Sequence, residues 1–156
     1  MSTMSSRVAV AVHVLAILTW KRGEPVSSQQ LAHSVNTNPV VVRRIVGALR
    51  RAGLVEVQPG AAGGALLARG PEQITLLEVY RSVEDGEELF AMHPQLPCQD
   101  CGVGANIQGA LAEVFGDART AMEAVLDRVT VADVWTTVHA RMGRREGCCG
   151  EARRAG

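Results

Sequence analysis

The sequence predicts a mainly α fold with a small β-hairpin wing and a long helix near its end. Three observations predict it. Apolar residues recur at helical spacing in two sets, which are Leu31, Ala32 and Val35 and then Val42, Ile45, Val46 and Leu49, and the turn-forming segment Asn-Thr-Asn lies between them. A glycine-rich loop over residues 58–64 separates two short apolar segments, as a hairpin loop does. Residues 104–129 form the longest periodic stretch of the chain.

Two short helices joined by a tight turn are predicted within residues 27–55. Ser27 or Ser28 can cap the first helix, because a hydroxyl oxygen accepts a hydrogen bond from a free N–H group of the first turn. Pro39 suits the first turn of the second helix, and Gly53 ends that helix. The second helix carries two arginine pairs outside its apolar set. This arrangement is typical of a helix-turn-helix.

The second helix of a helix-turn-helix enters the major groove of DNA, with its N-terminal residues near the base edges. The candidate base contacts are therefore Asn38, Val40, Val41 and Arg43. The candidate phosphate contacts, which position a protein without reading sequence, are Arg44, Arg50 and Arg51. Ser28 and Gln29 of the first helix complete this set. The alternative is an amphipathic helical pair with a solvated basic face.

A β-hairpin wing is predicted after the second helix, with strands over residues 54–57 and 65–68. Glycines in the loop have a permissive backbone, which allows close approach to a phosphate or a groove. Gly63 and Gly64 are therefore candidate DNA contacts. A nucleotide-binding P-loop is disfavoured, because the Lys and Ser/Thr that follow the glycines of a P-loop are missing.

The formal net charge of zero conceals two halves of opposite charge. Residues 1–70 hold eight Lys or Arg against two acidic residues, which gives +6. Residues 71–156 hold eight Arg against fourteen acidic residues, which gives −6. The basic half suits a polyanionic partner such as double-stranded DNA.

Three further helices and a loop complete the predicted order of elements. Residues 5–20 are apolar on nearly every side, so this first helix is expected to be largely buried. Residues 74–83 contain a capping-box pattern and form a packing helix. Residues 89–97 form a loop, and residues 130–142 form the last helix. Residues 143–156 are small and charged without apolar periodicity, and we expect a disordered tail there.

The long helix predicted over residues 104–129 approximates the apolar seam of a coiled coil. Its seam residues, spaced by three and four, are Ile107, Leu111, Val114, Ala118, Ala121, Val125 and Val129. A helix of roughly 25 residues spans about 38 Å, which is more than a small winged domain needs to cover itself. Part of the apolar face is therefore expected to contact a second copy of the chain. The alternative is that this helix only covers the core of one chain.

The interpretation of the cysteines depends on the cellular compartment. No apolar run is long enough to span a bilayer, and no small-residue cleavage site follows the first apolar run, so we expect a cytoplasmic protein. In the cytoplasm, Cys98 and Cys101 are more often thiols or metal ligands than structural disulfides. Cys148 and Cys149 lie in the predicted tail, and adjacent cysteines rarely bond to each other without strain.

The Cys-x-x-Cys spacing of Cys98 and Cys101 leaves several interpretations open. The pair suits two ligands of a tetrahedral zinc ion, which His13 and His93 would have to complete. It also suits a dithiol that closes to a disulfide as a redox switch. An iron-sulfur cluster needs about four ligands per site, and the two cysteines of this loop do not supply that number. The sequence requires no cofactor. The cysteines can also be inert. A single His on an apolar helix is weak evidence for a ligand, so His13 is more simply a helix histidine hydrogen-bonded near the surface or an interface.

A resemblance to the Rrf2 family of bacterial winged helix-turn-helix transcription regulators is carried by four segments. They are SSRVAVAVHVLAIL, VSSQQLAHSVNTNPVVVRRIVGALRRAGLV, GGALLARGPEQITLLEVYRSVE and VGANIQGALAEVF. The resemblance covers roughly residues 4–140, and the helix-turn-helix and the glycine-rich wing agree in order and spacing. It implies a homodimer crossed by the long helix, which binds a pseudo-palindromic promoter site and usually represses transcription. It implies no enzymatic activity.

The resemblance also divides the chain. Residues 1–84 correspond to a winged helix-turn-helix DNA-binding domain, residues 85–142 to a cysteine-bearing loop and dimerisation helices, and residues 143–156 to a tail. Cluster-binding members of the family have three cysteines in the loop before the long helix, and this chain has two. Some members complete a cluster with ligands from the partner's first helix, where His13 lies in this chain. The departure at the cysteines puts an iron-sulfur cluster in doubt.

The expected function is that of a dimeric, sequence-specific DNA-binding transcriptional regulator. We expect a repressor whose DNA affinity responds to a redox or metal signal at Cys98 and Cys101. The alternative is a protein-interaction or metal-handling module that uses a winged-helix scaffold without specific DNA binding. The charge asymmetry favours the regulator, because a protein-binding winged helix has no need for four arginines on one helix beside a glycine-rich wing.

Overall fold

The computed structural model of the chain describes residues 6–84, 86 and 89–142. The tail predicted over residues 143–156, with Cys148 and Cys149, lies outside the described residues. The first five elements are α1 (Arg7–Trp20), α2 (Ser28–Val35), α3 (Pro39–Arg51), β1 (Val55–Gln58) and β2 (Gly64–Leu67). A short 3₁₀ helix (Pro71–Gln73) then precedes α4 (Leu76–Val83), α5 (Gly102–Asp127) and α6 (Val131–Met142). The predicted fold class, mainly α with one hairpin, is confirmed.

The helix-turn-helix forms because both of its helices begin at a strong capping residue. The side chain of Ser27 caps α2 and accepts a hydrogen bond from the N–H group of Gln30, while the Gln30 side chain accepts one from the N–H group of Ser27. Asn36 then adopts a left-handed conformation (φ 57°) and ends α2. Asn38 caps α3, because its Oδ1 accepts a hydrogen bond from the N–H group of Val40 at 2.8 Å.

One apolar core lies around α1, which packs against α2, α3, α4, α6 and β2. Val14 and Leu15 of α1 are completely buried, as the prediction of a largely buried first helix requires. The core residues of α3 are Val42, Ile45, Val46 and Leu49. Burial of one such side chain stabilises the fold by about 1.5–3 kcal/mol. This packing fixes which side of α3 faces solvent.

The wing is a two-stranded antiparallel hairpin in which Val55 pairs with Leu67. Its strands lie within one residue of the predicted bounds, since β1 begins at Val55 and β2 at Gly64. The wing also pairs with the segment before α2. The N–H group of Val26 donates to the carbonyl of Ala65 at 3.0 Å, and the N–H group of Ala65 donates back at 2.8 Å. These bonds fix the wing relative to the helix-turn-helix.

The C-terminal helix returns to the N-terminal half of the chain. Thr75 caps α4 in a capping box with Glu78, so α4 begins at Leu76 and not at residue 74. The N–H group of Leu76 donates to the carbonyl of Val129 at 2.8 Å, and Thr75 forms an isolated β-bridge with Thr130. α6 therefore starts beside α4 and packs on α1.

α5 has 26 residues, and none of them is buried. It runs from Gly102 to Asp127, two residues earlier at each end than predicted. The predicted seam divides into two rows. The half-buried row consists of Ile107, Leu111, Phe115, Ala118, Met122 and Leu126. The exposed row consists of Val103, Ala110, Val114, Ala121 and Val125.

Few specific contacts attach α5 to the rest of the chain. Arg81 of α4 donates to Glu123 at 2.8 Å, and the rings of Phe90 and Phe115 stack with centroids 4.6 Å apart. An exposed ion pair of this kind contributes about 0–1 kcal/mol. Within the described parts of the chain, no helix is long and apolar enough to cross a membrane.

Candidate nucleic-acid interface

The outer face of α3 is the side opposite its buried residues. It carries Val40, Val41, Arg43, Arg44, Arg50 and Arg51, which are exposed, and the half-buried Gly47. Among the described residues, none of these arginines forms an ion pair with a carboxylate. Residues 25–55 contain no acidic residue at all. The outer face of α3 is therefore a cationic surface without internal neutralisation, which attracts phosphate groups.

Arg69, at the exit of the wing, differs from the arginines of α3. Its Nη2 lies 2.7 Å from Oε1 of Glu78, and its Nη1 donates to the carbonyl of Gln73 at 3.4 Å. The guanidinium group is thus used within the chain. Arg69 links the wing to α4 and adds little free positive charge to the surface.

The first turn of α3 presents apolar side chains to solvent. Asn38 uses its Oδ1 to cap the helix, so the NH₂ group of its side chain is left to donate to another partner. Val40 and Val41 are 46% and 40% exposed, respectively. Asn38, one of the residues predicted to contact bases, therefore has a structural role as the cap of α3. Val40, Val41 and Arg43 lie on the surface, where a groove could reach them.

Gly63 and Gly64, which were predicted to approach DNA, are required by contacts within the chain. A Cβ on Gly64 would lie 2.5 Å from the carbonyl carbon and oxygen of Val26, and a Cβ on Gly63 would collide with the carbonyl of Gln58. Gly60 lies in the hairpin loop with φ 102°, and a Cβ there would meet nothing within 4 Å. Gly60 is therefore the glycine of this loop whose surroundings are open.

The two α2 residues of the predicted set, Ser28 and Gln29, lie in the first turn of α2. Gln29 is exposed and Ser28 is half-buried. The free N–H groups of a helix N-terminus favour an anionic partner, so this end of α2 is compatible with a DNA phosphate.

Cys98 and Cys101 are exposed free thiols separated by a two-residue turn. The ends of such a turn lie within about 7 Å of each other between Cα atoms, which matches the distances that disulfides span. Backbone N–H groups of Gly104 and Val103, at the start of α5, hold the pKa of the Cys101 thiol below its usual value. The thiolate is the nucleophilic form of cysteine. The pair is therefore suited to thiol chemistry.

The four candidate metal ligands do not meet within one chain. Among the described residues, no group of three or more His, Cys, Asp or Glu side chains is arranged to hold a metal ion. Nε2 of His13 lies 3.1 Å from Oγ of Ser34 and links α1 to α2, and burial lowers the pKa of His13. Within the described residues of one chain these four side chains do not form a metal site, and a site built from Cys98, Cys101, His13 and His93 stays a prediction. The alternative interpretation of His13, a hydrogen bond near the surface, is confirmed.

A cleft of about 230 Å³ lies between α5 and the loop before it. It is lined by Leu89, Phe90, Met92, Ala112, Phe115, Gly116 and Arg119. Residues 89–97 were predicted only as a loop, whereas Phe90 of this loop stacks on Phe115 of α5. The signal was present, because Phe90 and Phe115 are the only two phenylalanines of the chain.

Comparison with known proteins agrees with this geometry. The sequence profile of the Rrf2 family, described as iron-dependent transcriptional regulators, matches residues 4–137. YwnA of Bacillus subtilis, whose name assigns it provisionally to the HTH-type transcriptional regulators, is 45% identical over 131 residues, which cover 84% of this chain and 96% of YwnA. The HTH-type transcriptional regulator IscR of Cereibacter sphaeroides is 31% identical over 113 residues, which cover 72% of this chain and 68% of IscR.

Solved structures share the fold as well. The structure of CymR, the global cysteine regulator of B. subtilis, matches with a TM-score of 0.65 and 25% identity, over 88% of this chain and 98% of CymR. An IscR structure from T. potens matches with a TM-score of 0.68 at 24% identity, over 95% of this chain and 93% of that one. The second likeness concerns the fold alone.

Proposed function

This chain belongs to the Rrf2 family of transcriptional regulators, and we propose that it is a homodimeric repressor that binds a pseudo-palindromic DNA operator. We further propose that oxidation of Cys98 and Cys101 changes its affinity for the operator. The family's members are DNA-binding regulators and not enzymes. Operator DNA in bacteria lies in the cytoplasm, so the same proposal includes a cytoplasmic location.

The observation that carries the DNA-binding proposal is the outer face of α3. Four exposed arginines lie there without a carboxylate partner among the described residues, and the first turn presents Val40 and Val41 beside them. The division of charge between the two halves of the chain supports the same surface, because the acidic residues are concentrated beyond residue 70. Arg43 is the base contact in this proposal, and Arg50 contacts a phosphate.

The exposed row of α5 supports the homodimer. Val114 is 61% exposed and Val125 is 51% exposed, on a helix that has no buried residue. A 26-residue helix is about 39 Å long, and two such helices crossing at their exposed rows would cover these valines. Closed two-fold symmetry then gives two copies of α3, as a pseudo-palindromic operator requires.

The cysteine pair supports regulation by oxidation. In this proposal the Cys101 thiolate attacks one oxygen of a hydroperoxide and the O–O bond breaks. The sulfur becomes a sulfenic acid, and the other oxygen leaves as an alcohol or water. The Cys98 thiol then displaces water from that sulfur and forms the disulfide, so two thiols together lose two electrons. Within the described chain, two thiols do not provide the four ligands of an iron-sulfur cluster, and no step of this proposal uses one.

The test of DNA binding begins with selection of a duplex from a randomised pool by the full-length protein. Arg43→Ala is expected to cost about 1–3 kcal/mol of specific binding and to relax the preference at one base position. Arg50→Ala is expected to weaken binding to all sequences equally and to reduce the salt dependence. Arg141→Ala, which removes an exposed arginine of α6, is the matched control and should leave binding unchanged.

Two results would contradict the proposal. Failure of the pool to yield any preferred sequence would remove specific DNA binding altogether. Equal affinities of the wild-type protein and Arg43→Ala for the selected duplex would show that α3 is not the element in the groove.

The test of redox control uses the selected duplex and anaerobically purified protein. Hydrogen peroxide is expected to change operator affinity in the wild-type protein and to leave it unchanged in Cys98→Ser and Cys101→Ser. Mass spectrometry should find the loss of two hydrogens between these residues in the oxidised wild type. A response that persists in both variants would move the sensor elsewhere, and a brown chromophore with bound iron would replace thiol chemistry with a cluster.

A further inference from the structure

The two exposed valines at the start of α3 lie outside the apolar core of the described chain. We infer that Val40 and Val41 bind the 5-methyl groups of thymines in the major groove, so that each operator half-site is specified there by thymine. The inference rests on the proposed function, because it assigns a base to a surface proposed to enter the groove. The inference concerns which bases the valines contact. DNA binding itself is tested separately by selection of a duplex from the randomised pool.

Val40 lies on the side of α3 opposite the core, and Val41 lies at the edge of the same outer face. Val42, the next residue, is completely buried, whereas Val40 and Val41 are 46% and 40% exposed. At about 100° per residue, Val40 lies nearly opposite Leu49, which is also completely buried. The outward direction of Val40 is therefore fixed by the packing of α3 and does not depend on a mobile side chain.

The chemistry of the first turn restricts what it can recognise. Pro39 has no N–H group, Val40 and Val41 have no polar side-chain atom, and Oδ1 of Asn38 already accepts the N–H group of Val40. The side chains of this turn therefore offer apolar contacts and the NH₂ group of Asn38 as a donor. Among the four bases, thymine alone presents a methyl group in the major groove, and apolar side chains contact it there.

The surroundings of the valines favour DNA as the occupant over an apolar protein surface. Arg43 and Arg44 are one turn further along the helix, and residues 25–55 contain no acidic residue. β-branched valine is also a weaker helix former than alanine, so solvent-facing positions of a helix gain nothing from it. In the major groove, a thymine methyl group lies between the two phosphate backbones. Two valines beside arginines that have no carboxylate partner complement this arrangement.

Gly47 is consistent with close approach along the same face. It lies seven residues, or about two turns, after Val40, and a Cβ on it would meet only Nη1 of Arg51, at 3.6 Å. Glycine inside a helix is less favourable than alanine, and no contact within the described chain requires it here. The lack of a side chain would let α3 approach the base edges where its outer face is most deeply inserted.

The experiment replaces thymine by uracil, which removes the methyl group and preserves base pairing. The probe is the duplex selected from the randomised pool, with each thymine replaced in turn by deoxyuridine, at one fixed salt concentration. One or two positions per half-site are expected to lose about fourfold in affinity, the factor that follows from burying one methyl group. Other thymines of the same duplex should show no loss.

The assignment to individual valines comes from Val40→Ala and Val41→Ala. Each variant is expected to bind the thymine and uracil duplexes equally at the position that its valine contacts, and to keep the discrimination at the other position. Alanine is the better helix former, so both variants should fold. Val138→Ala is the matched control, since Val138 of α6 is 38% exposed. This variant should keep the preference for thymine over uracil at both positions.

The inference is overturned if no uracil substitution weakens binding of the wild-type protein to its selected duplex. It is equally overturned if both alanine variants keep the thymine preference. These outcomes leave the proposed function intact, because they presuppose a selected duplex. Failure of the proposed function is a different result, namely a pool from which no sequence is enriched.

Discussion

α3 and α5 are both amphipathic helices, but the chain buries their apolar residues differently. The four core residues of α3, Val42, Ile45, Val46 and Leu49, are all buried. α5 is twice as long, with 26 residues against 13, and has no buried residue. Both helices therefore carry an apolar face, and among the described residues only the face of α3 is buried by contacts within the chain.

The difference separates what the chain folds by itself from what it presents to partners. α3 is held by a cap, a core and short connections, so its outer face is positioned without help from another molecule. α5 is attached along one half-buried row, and its exposed row has no cover within the described chain. Exposed apolar rows of this length are typical of interaction sites. This difference supports the proposal that α3 contacts DNA and that α5 contacts a second subunit.

The largest expected effect is on the core beneath α3. Leu49→Ala should lower the free energy of unfolding by about 3 kcal/mol, because it leaves a cavity beside side chains that cannot collapse into it. Urea unfolding measures the change. The matched control is Leu96→Ala, because Leu96 is 72% exposed and its removal should change stability by less than about 0.5 kcal/mol. Similar effects in the two variants would contradict the packing described for α3.

The next effect concerns the exposed row of α5. Val114→Glu should raise the dimer dissociation constant by about 100-fold, since two-fold symmetry places two buried charges in each interface. Analytical ultracentrifugation measures it. Thr120→Glu adds the same charge about 120° around the helix and should leave the dimer intact. If both variants stay dimeric, the subunit contact lies elsewhere.

A smaller effect compares a glycine on each helix. Gly47→Ala should stabilise the protein by about 0.5–1 kcal/mol and still weaken operator binding, because the methyl group lies on the outer face of α3. Gly109→Ala in α5, where a Cβ meets nothing within 4 Å, should give the same stabilisation without loss of affinity. Thermal unfolding and fluorescence anisotropy measure the two quantities. Undiminished affinity in Gly47→Ala would argue against close approach of α3 to DNA.

The smallest effect is a pH dependence at His13, which links α1 to α2. Burial lowers the pKa of His13, so the unfolded chain binds a proton at a higher pH than the folded chain does. The contribution to stability is complete above the ordinary histidine pKa and declines as the pH falls through the lowered one. His13→Gln should reduce this acid loss of stability in urea unfolding. A loss that is the same in both proteins would assign it to other groups.

The local parts of this organisation were predictable from sequence. The caps of α2 and α4 are capping boxes between residues three positions apart in the sequence. The buried face of α3 follows from the periodicity of its apolar residues. Parts that depend on distant contacts were not. The pairing of Val26 with Ala65 explains why residue 64 is a glycine, because a Cβ there would collide with Val26. The sequence of the glycine-rich loop does not indicate this contact with a residue 38 positions earlier.

The seam of α5 and the candidate metal site illustrate the same limit. The spacing of the seam gave one apolar face, but it could not divide Leu111 from Val114, which lie in different rows. Histidines that resemble ligands in sequence were separated by the fold, because His13 bonds Ser34 while His93 lies in an exposed loop. Only the cysteine pair could be placed together from sequence, since the two residues are joined by one turn.

In the proposed complex, two copies of α3, joined through α5, bind one operator. The most direct measurement is the mass of the complex between the full-length protein and its selected duplex, by sedimentation or native mass spectrometry. Two chains are expected on each duplex, with a clear loss of affinity when one half-site is scrambled. One chain bound to the duplex, with an affinity that does not change when a half-site is scrambled, would contradict the proposed complex.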